Sequence, residues 1–589
     1  MVLGKARAVS PLLTMAEPVK KRLRVAGKDE AEEEEATGND LMEFQQNLLN
    51  QCLCCMSESS LRRPFRDKPT DTSWTRDRTL QFVGSIQLLC EVAMKQTSRG
   101  FVCSRIGDVC DALTRNEHGL IDKLVELSSH SDRFVCFAAS RALSAFLLVS
   151  KTNVDPFWLQ NLADNALSTS QPRQMCFSLD VIRRIVEYKE CDGHVLEERG
   201  GSDDKPSSSC NVLMTDPEAD CSQVKSLCVK VLEAKWPALV TKFDSLVSSY
   251  ASEHEATVVT FLELWEALIS VKANLSVADT KPFYAHLDNV VMLLAPNVPP
   301  VVWKSILNLL NEVLCYGSTL ALQDVLAEEP CALAHLVVRG VKDSRLLDGL
   351  PYRGGSGRFG GGVGDGDKPL LKKIVLLVLK AVAVTVKETR CDSSDSSLSS
   401  DADEADADMA LIERSIREVL RKLDQCVKAL VPFHPETPVA QWVVQLFADQ
   451  DDALIESMVC CLDTAVGLVY RDSPVGQVDT SLRRILSPSA TFVEFVKAVS
   501  HEPDVLLDLL VSNETCFLLY LLRTLKFVRR NWEEFVRECG AELDNVMTML
   551  IRLRLAIDRL VSKDLFPYNI GPVLRLLEKC ESMYEGNTQ

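Results

Sequence analysis

The chain has 589 residues, 46% of them hydrophobic and 25% charged, with a formal net charge of -18. That is enough apolar material for several globular domains or one long repeat array. The acidic balance argues against general nucleic-acid binding, which needs a basic surface to release counterions, and favours a basic protein partner.

Residues 1–38 swing from basic (Lys20 to Arg24) to acidic (Glu30 to Glu35) with few apolar anchors. Such a segment buries too little surface to offset its ordering entropy, so a disordered arm is predicted. Within it Lys20, Lys21, Arg22 and Arg24 follow Pro18, a pattern that suits an extended contact with a nuclear import receptor. The plainer alternative is a solvated charge run.

Helical repeats are predicted over 39–190. Phe134, Val135, Ala138, Ala139, Ala142, Leu143, Phe146 and Leu147 form a broad helical stripe, with Asp132 placed to cap it. Pro156 and Pro172 fall near the first turns of the next two helices. Cys52-Leu53-Cys54-Cys55 holds a C-x-x-C spacing, but no second Cys or His pair follows at finger-like distance. Core packing beside Leu48, Leu49 and Met56 is therefore expected there, and no metal ligand is assigned.

A polar linker is predicted over 191–222, then helical repeats over 223–345 punctuated by Pro237, Pro282 and the cluster from Pro296 to Pro300. A Gly-rich loop over 346–369 contains Gly355, Gly357 and Gly360 in the G-x-G-x-x-G order. A dinucleotide site would need a strand leading into those glycines, and a helix ending near Leu347 is predicted instead. A flexible connector accounts for them. A helix over 370–389 precedes an acidic Ser/Asp linker over 390–408, in which Ser400, followed by Asp401 and Asp403, is a candidate for an acidophilic kinase.

Helical repeats resume over 409–541. Asp451 and Asp452 open a helix whose dipole they complement, and Glu514 sits at the start of the apolar run from Cys516. Residues 542–589 read as an αα-hairpin. Leu543, Val546, Leu550, Leu553, Ile557 and Leu560 share one stripe, and Val573, Leu576, Leu577 and Cys580 face it across an elbow of Leu565, Phe566, Pro567, Tyr568 and Asn569. Units of roughly 40 residues suit degenerate armadillo or HEAT pairs. The expected fold is all-α, an irregular armadillo/HEAT-like α-solenoid with a disordered N-terminal arm and internal Gly-rich and acidic loops. A compact multi-helix bundle is the alternative.

The 21 cysteines are scattered and odd in number, and with no secretory signal they read as reduced core residues of the cytosol or nucleus. The most apolar run, Ile374 to Val386, is too short for a bilayer and carries Lys380, so no membrane contact is expected. The 8 histidines are dispersed and none stands in a recognisable nucleophile setting. No cofactor and no catalytic residue is assigned, and the oligomeric state is left open.

The segment from Arg552 to Glu578 resembles the C-terminal module of the Lines family. Stretches from Gln441 to Arg471 and from Asp504 to Phe535 resemble its large N-terminal region, taken here to run to 541. Asp451, Asp452, Glu514, Cys516, Trp532, Leu565, Phe566, Pro567, Tyr568 and Asn569 match positions of the family pattern. A long polar insertion that vertebrate relatives carry after the Trp532-type helix is absent here. The resemblance implies a non-enzymatic regulator of developmental patterning, linked to Wnt/Wingless signalling and to control of zinc-finger transcription factors, acting in nucleus and cytoplasm. A basic zinc-finger protein would suit the acidic chain. A transport or assembly adaptor is the alternative, although the 7 tryptophans form no cargo-binding ladder.

Overall fold

The computed structural model describes residues 40–66, 69, 74–189, 210–215, 221–270, 275–294, 298–351, 368–395, 402–469, 485–512 and 514–587. Lys20, Lys21, Arg22, Arg24, the Gly355–Gly360 motif and Ser400 lie outside these residues. The chain divides into two units, Met1–Lys123 with Gly201–Glu218, and Leu124–Gly200 with Ala219–Gln589.

In the first unit, helix α1 covers 40–49 and its chain then turns through 50–56. Helix α2 (Arg76–Ser98) leads to strand β1 (Phe101–Cys103) and helix α3 (Ser104–Thr114). Thr75 caps α2 by accepting the Arg78 N–H at 3.3 Å. Among the described residues the strands are one antiparallel pair, β1 with β2 (Val212–Met214), in which Phe101 faces Met214 and Cys103 faces Val212. The strands add to the helical repeats expected over 39–190 and to the polar linker expected over 191–222 a pairing that neither expectation included. A three-residue strand is too short to show a period in the sequence.

The second unit is an all-α stack. Its helices are α4 (Arg133–Ser150), α5 (Pro156–Ser168), α6 (Pro172–Glu187), α7 (Ser222–Ser248), α8 (Glu255–Ile269), α9 (Pro300–Val313) and α10 (Glu328–Lys342). They continue as α11 (Lys368–Asp395), α12 (Ala402–Leu430), α13 (Val439–Phe447), α14 (Asp451–Val469), α15 (Pro488–Ala498) and α16 (Pro503–Val511). The last four are α17 (Phe517–Arg530), α18 (Trp532–Cys539), α19 (Leu543–Val561) and α20 (Gly571–Asn587).

One row of helices packs in the order α4, α6, α8, α9, α11, α14, α17, α20, each against the next. Intervening helices such as α5, α10 and α12 pack on the side of that row. This alternation of stacked helices is the irregular α-solenoid that the unit length implied. Asp132 caps α4 as expected, accepting the Phe134 N–H at 2.7 Å. α4 is long and apolar enough to cross a membrane, yet 67% of it is buried inside the fold.

Two local expectations are corrected. Pro237 does not punctuate: α7 runs through it. The adjacent Trp236 is buried, with ring centroids 5.4 Å from Phe261, 5.1 Å from Trp265 and 4.8 Å from Phe283. That packing offsets the roughly 3 kcal/mol cost of an internal proline. The acidic tract is helical to Asp395 and again from Ala402, so it is shorter than 390–408. Ala and Glu favour a helix intrinsically, and acidic residues are favourable near its start.

The C-terminal hairpin forms as predicted. Val546, Leu550, Leu553 and Ile557 are buried, as are Val573, Leu576, Leu577 and Cys580, whereas Leu543 and Leu560 are half-buried at the ends. It docks on its own chain: α19 packs on α16, α20 on α17, and the Tyr568 hydroxyl donates to the Leu510 carbonyl.

Mid-stack, a buried polar cluster fixes the loop after α9. Lys380 on α11 pairs with Glu456 on α14 at 2.8 Å and donates to the Asn311 carbonyl at 3.0 Å. Glu456 accepts the N–H groups of Tyr316 at 2.8 Å and Gly317 at 3.1 Å. The Tyr316 hydroxyl donates to Asp463 at 3.0 Å, and Arg523 of α17 pairs with the same carboxylate. A Cβ on Gly317 would collide with the Cys516 sulfur and stand 3.2 Å from its Cβ. Gly317→Ala is therefore expected to destabilise this unit by about 1–3 kcal/mol. Denaturant melts would show it, and the Gly317→Ala/Cys516→Ala double variant would recover most of the loss.

Candidate protein-binding groove

Helices α4, α6 and α8 leave a groove of about 690 Å³ along their shared face. Its walls carry Phe137 and Ser140 of α4, Arg173, Cys176 and Asp180 of α6, and Thr260 of α8. Arg183 lines this groove and also a second hollow of about 380 Å³ that extends past α8 to Asn308 of α9. The two hollows therefore meet at one guanidinium.

Asp180 organises the centre. It accepts the Ser140 hydroxyl at 2.7 Å, Arg183 at 2.6 Å and Arg184 at 2.8 Å. Burial alone would raise its pKa, but these three donors outweigh burial and hold the carboxyl below its usual range. Arg184 in turn stacks over Phe137, 5.1 Å from the ring centroid. Phe137 stays 44% exposed and Phe134, 6.3 Å away, 55% exposed. Two neighbouring aromatic rings open to solvent beside fixed guanidinium groups are the anchors that dominate protein interfaces.

The second hollow is acidic. Burial pushes the Glu263 carboxyl up, and burial with the nearby Glu312 pushes Glu266 up to about 7. These crowded carboxylates would gain from a cationic side chain. The raised Glu266 value also sets a stability trend. Between the ordinary value of 4.5 and about 7 the unfolded chain ionises while the folded carboxyl stays protonated, so stability falls with rising pH. Glu266→Gln is thus expected to stabilise the protein by on the order of 1–3 kcal/mol at pH 8 and by little at pH 4.5. Thermal melts across that range check it.

The groove's two thiols, Cys136 and Cys176, are both pushed up by burial, the reverse of an activated nucleophile. The Cys176 sulfur lies 3.4 Å from Thr260 Oγ1.

Sequence reasoning missed this groove. It placed Phe134 on the broad apolar stripe of α4, whereas the structure buries Val135, Ala139, Ala142, Leu143, Phe146 and Leu147 and leaves Phe134 exposed. The signature positions lie far from it and apart from one another. Asp451 and Asp452 are exposed at the start of α14, with Asp452 accepting the Ala453 N–H at 2.8 Å. Glu514 is exposed, Cys516 abuts Gly317, and Trp532 is buried at the start of α18. In the elbow Leu565, Pro567 and Asn569 are exposed, while Phe566 and Tyr568 pack edge to face at 5.0 Å.

The cysteines of the first unit also depart from expectation. Cys52 and Cys54 lie in the turn after α1 rather than on its apolar face, and Leu49 is exposed. Cys55 is exposed, its sulfur 3.1 Å from Asn47 Oδ1. The sulfurs of Cys52, Cys54, Cys103 and Cys210 fall within 4.8 Å of one another.

Residues 210–539 match the profile of the Lines N-terminus and residues 546–582 that of the Lines C-terminus. Protein lines of Drosophila melanogaster is 40% identical, over 93% of this chain and 80% of its own length. Protein Lines homolog 1 of Homo sapiens is 26% identical over 40% of this chain and 32% of its own, and that of Mus musculus is 31% identical over 18% and 15%. A solved chain from work on "A conserved phosphorylation switch controls the interaction between cadherin and beta-catenin in vitro and in vivo" aligns over 92% of this chain and 99% of that one. Its TM-score is 0.23 and its identity 12%, too loose to carry an argument.

Proposed function

The chain belongs to the Lines family, and from that premise we propose that it is a non-enzymatic regulator that binds other proteins along the groove over α4, α6 and α8. The observation that carries this reading is the pairing of exposed Phe134 and Phe137 with the fixed Asp180–Arg183–Arg184 cluster. An α-solenoid gives specificity through side chains along such a groove. The partner is a protein with an apolar anchor for the aromatic end and a basic side chain for Glu263 and Glu266. A zinc-finger transcription factor has that charge. The setting we propose is developmental signalling of the Wnt/Wingless type, in nucleus and cytoplasm, with Lys20, Lys21, Arg22 and Arg24 read by an import receptor and Ser400 open to an acidophilic kinase.

Proximity labelling in cells tests this reading. The wild-type chain is expected to label transcription regulators in the nucleus. Changing Lys20, Lys21, Arg22 and Arg24 together to alanine should shift the labelled set to the cytoplasm. An unchanged nuclear set would refute the import assignment, and a set free of transcription regulators would refute the regulatory one.

A further inference from the structure

We propose that Cys52, Cys54, Cys103 and Cys210 form a structural zinc site that clips three separate segments of the first unit together. Zinc bound by four thiolates at about 2.3 Å places its sulfurs about 3.8 Å apart along the edges of a tetrahedron. The Cys54 sulfur lies 3.6 Å from that of Cys103 and 3.7 Å from that of Cys210. A disulfide requires about 2.05 Å, and all four are free thiols. With every sulfur within 4.8 Å of the others, the space between them suits a single ion rather than a multinuclear cluster.

The surroundings hold the ligands in place before any ion arrives. The Gln96 side chain, 2% exposed on α2, donates to the Gln51 carbonyl at 2.7 Å and accepts the Cys103 N–H at 2.9 Å. One buried amide thus aligns the turn that carries Cys52 with the end of β1. The Cys54 N–H points at the Cys52 sulfur, 3.4 Å away, as a donor to a metal-bound thiolate does. Cys210 is fixed by the strand pair: the Asn211 carbonyl accepts the Ser104 N–H at 2.8 Å, and the Gly100 carbonyl accepts the Thr215 N–H at 3.0 Å. Outer partners that orient ligands in this way are a mark of metal sites.

Four protein ligands close the coordination sphere, so the ion serves folding and not catalysis. Zinc, with no preferred d-electron geometry, takes whatever tetrahedron the chain supplies. On binding, the sulfurs act as thiolates and their protons leave to solvent. The first unit is small and takes in residues from beyond position 200, so a covalent-strength tie between Cys210 and the turn after α1 would stabilise that closure. This inference is independent of the groove.

Elemental analysis of the full chain, purified under reducing conditions without added metal, tests it. About one zinc per chain is expected. Cys54→Ser and Cys210→Ser should each lower that at least about tenfold, and Cys55→Ser should leave it unchanged. Because a ligand variant can fail to fold, the wild-type chain is also exchanged into cobalt, and its visible spectrum should show tetrahedral tetrathiolate coordination. Chelation of the wild type should then open the strand Val212–Met214 to limited proteolysis, and zinc should restore protection. No bound metal, a disulfide among these cysteines, or one iron in place of zinc would overturn the assignment, as would equal loss in Cys55→Ser.

Discussion

Lys380→Met is expected to destabilise the solenoid unit by about 3–5 kcal/mol, the cost of stranding one partner of a buried ion pair. The lysine is 4% exposed and its Glu456 partner 16%, so water cannot replace the lost contact. Burial alone would lower the Lys380 pKa, and Glu456 outweighs burial and holds it above its usual range. Glu456 would keep the N–H groups of Tyr316 and Gly317 but lose its cationic partner. The Lys380→Met/Glu456→Gln double variant removes both charges yet keeps an acceptor for those amides, so it should regain most of the loss. Urea melts followed by helical circular dichroism measure both. A Lys380→Met loss below about 1 kcal/mol would show that the pair is solvated.

The second large effect concerns binding. Replacing Phe137 and Arg183 together by alanine should weaken partner capture by about 10–100-fold, because central aromatic and arginine anchors carry most interface energy. Asp180 keeps its bonds to Ser140 and Arg184, so the fold should survive. Phe157→Ala provides the control. It removes a more exposed ring, 59% open against 44%, from α5 and away from the groove lining, and capture should be unchanged.

The parts of this protein that the sequence revealed share one property, which is that they depend on near neighbours. The hairpin stripe from Val546 to Ile557, the Asp132 cap and the helix starts at Pro156 and Pro172 are set by contacts within a few residues. The candidate sites depend on distant ones. Whether Phe134 faces core or solvent depends on how α6 stacks on α4, which the α4 pattern does not encode. Cys54 meets Cys103 from 49 residues away and Cys210 from 156, beyond any finger-like spacing. Pro237 was misread for the same reason, since its helix is upheld by rings from Phe261, Trp265 and Phe283.

The central claim is that the face shared by α4, α6 and α8 holds another protein. Site-specific photocrosslinking in cells asks this directly, with a photoreactive residue in place of Phe137 or, for comparison, Val325, which is 80% exposed outside the groove lining. The account predicts discrete covalent adducts from position 137 that vanish with Arg183→Ala, and none from position 325. Equal capture from both positions, or none from position 137, would contradict it.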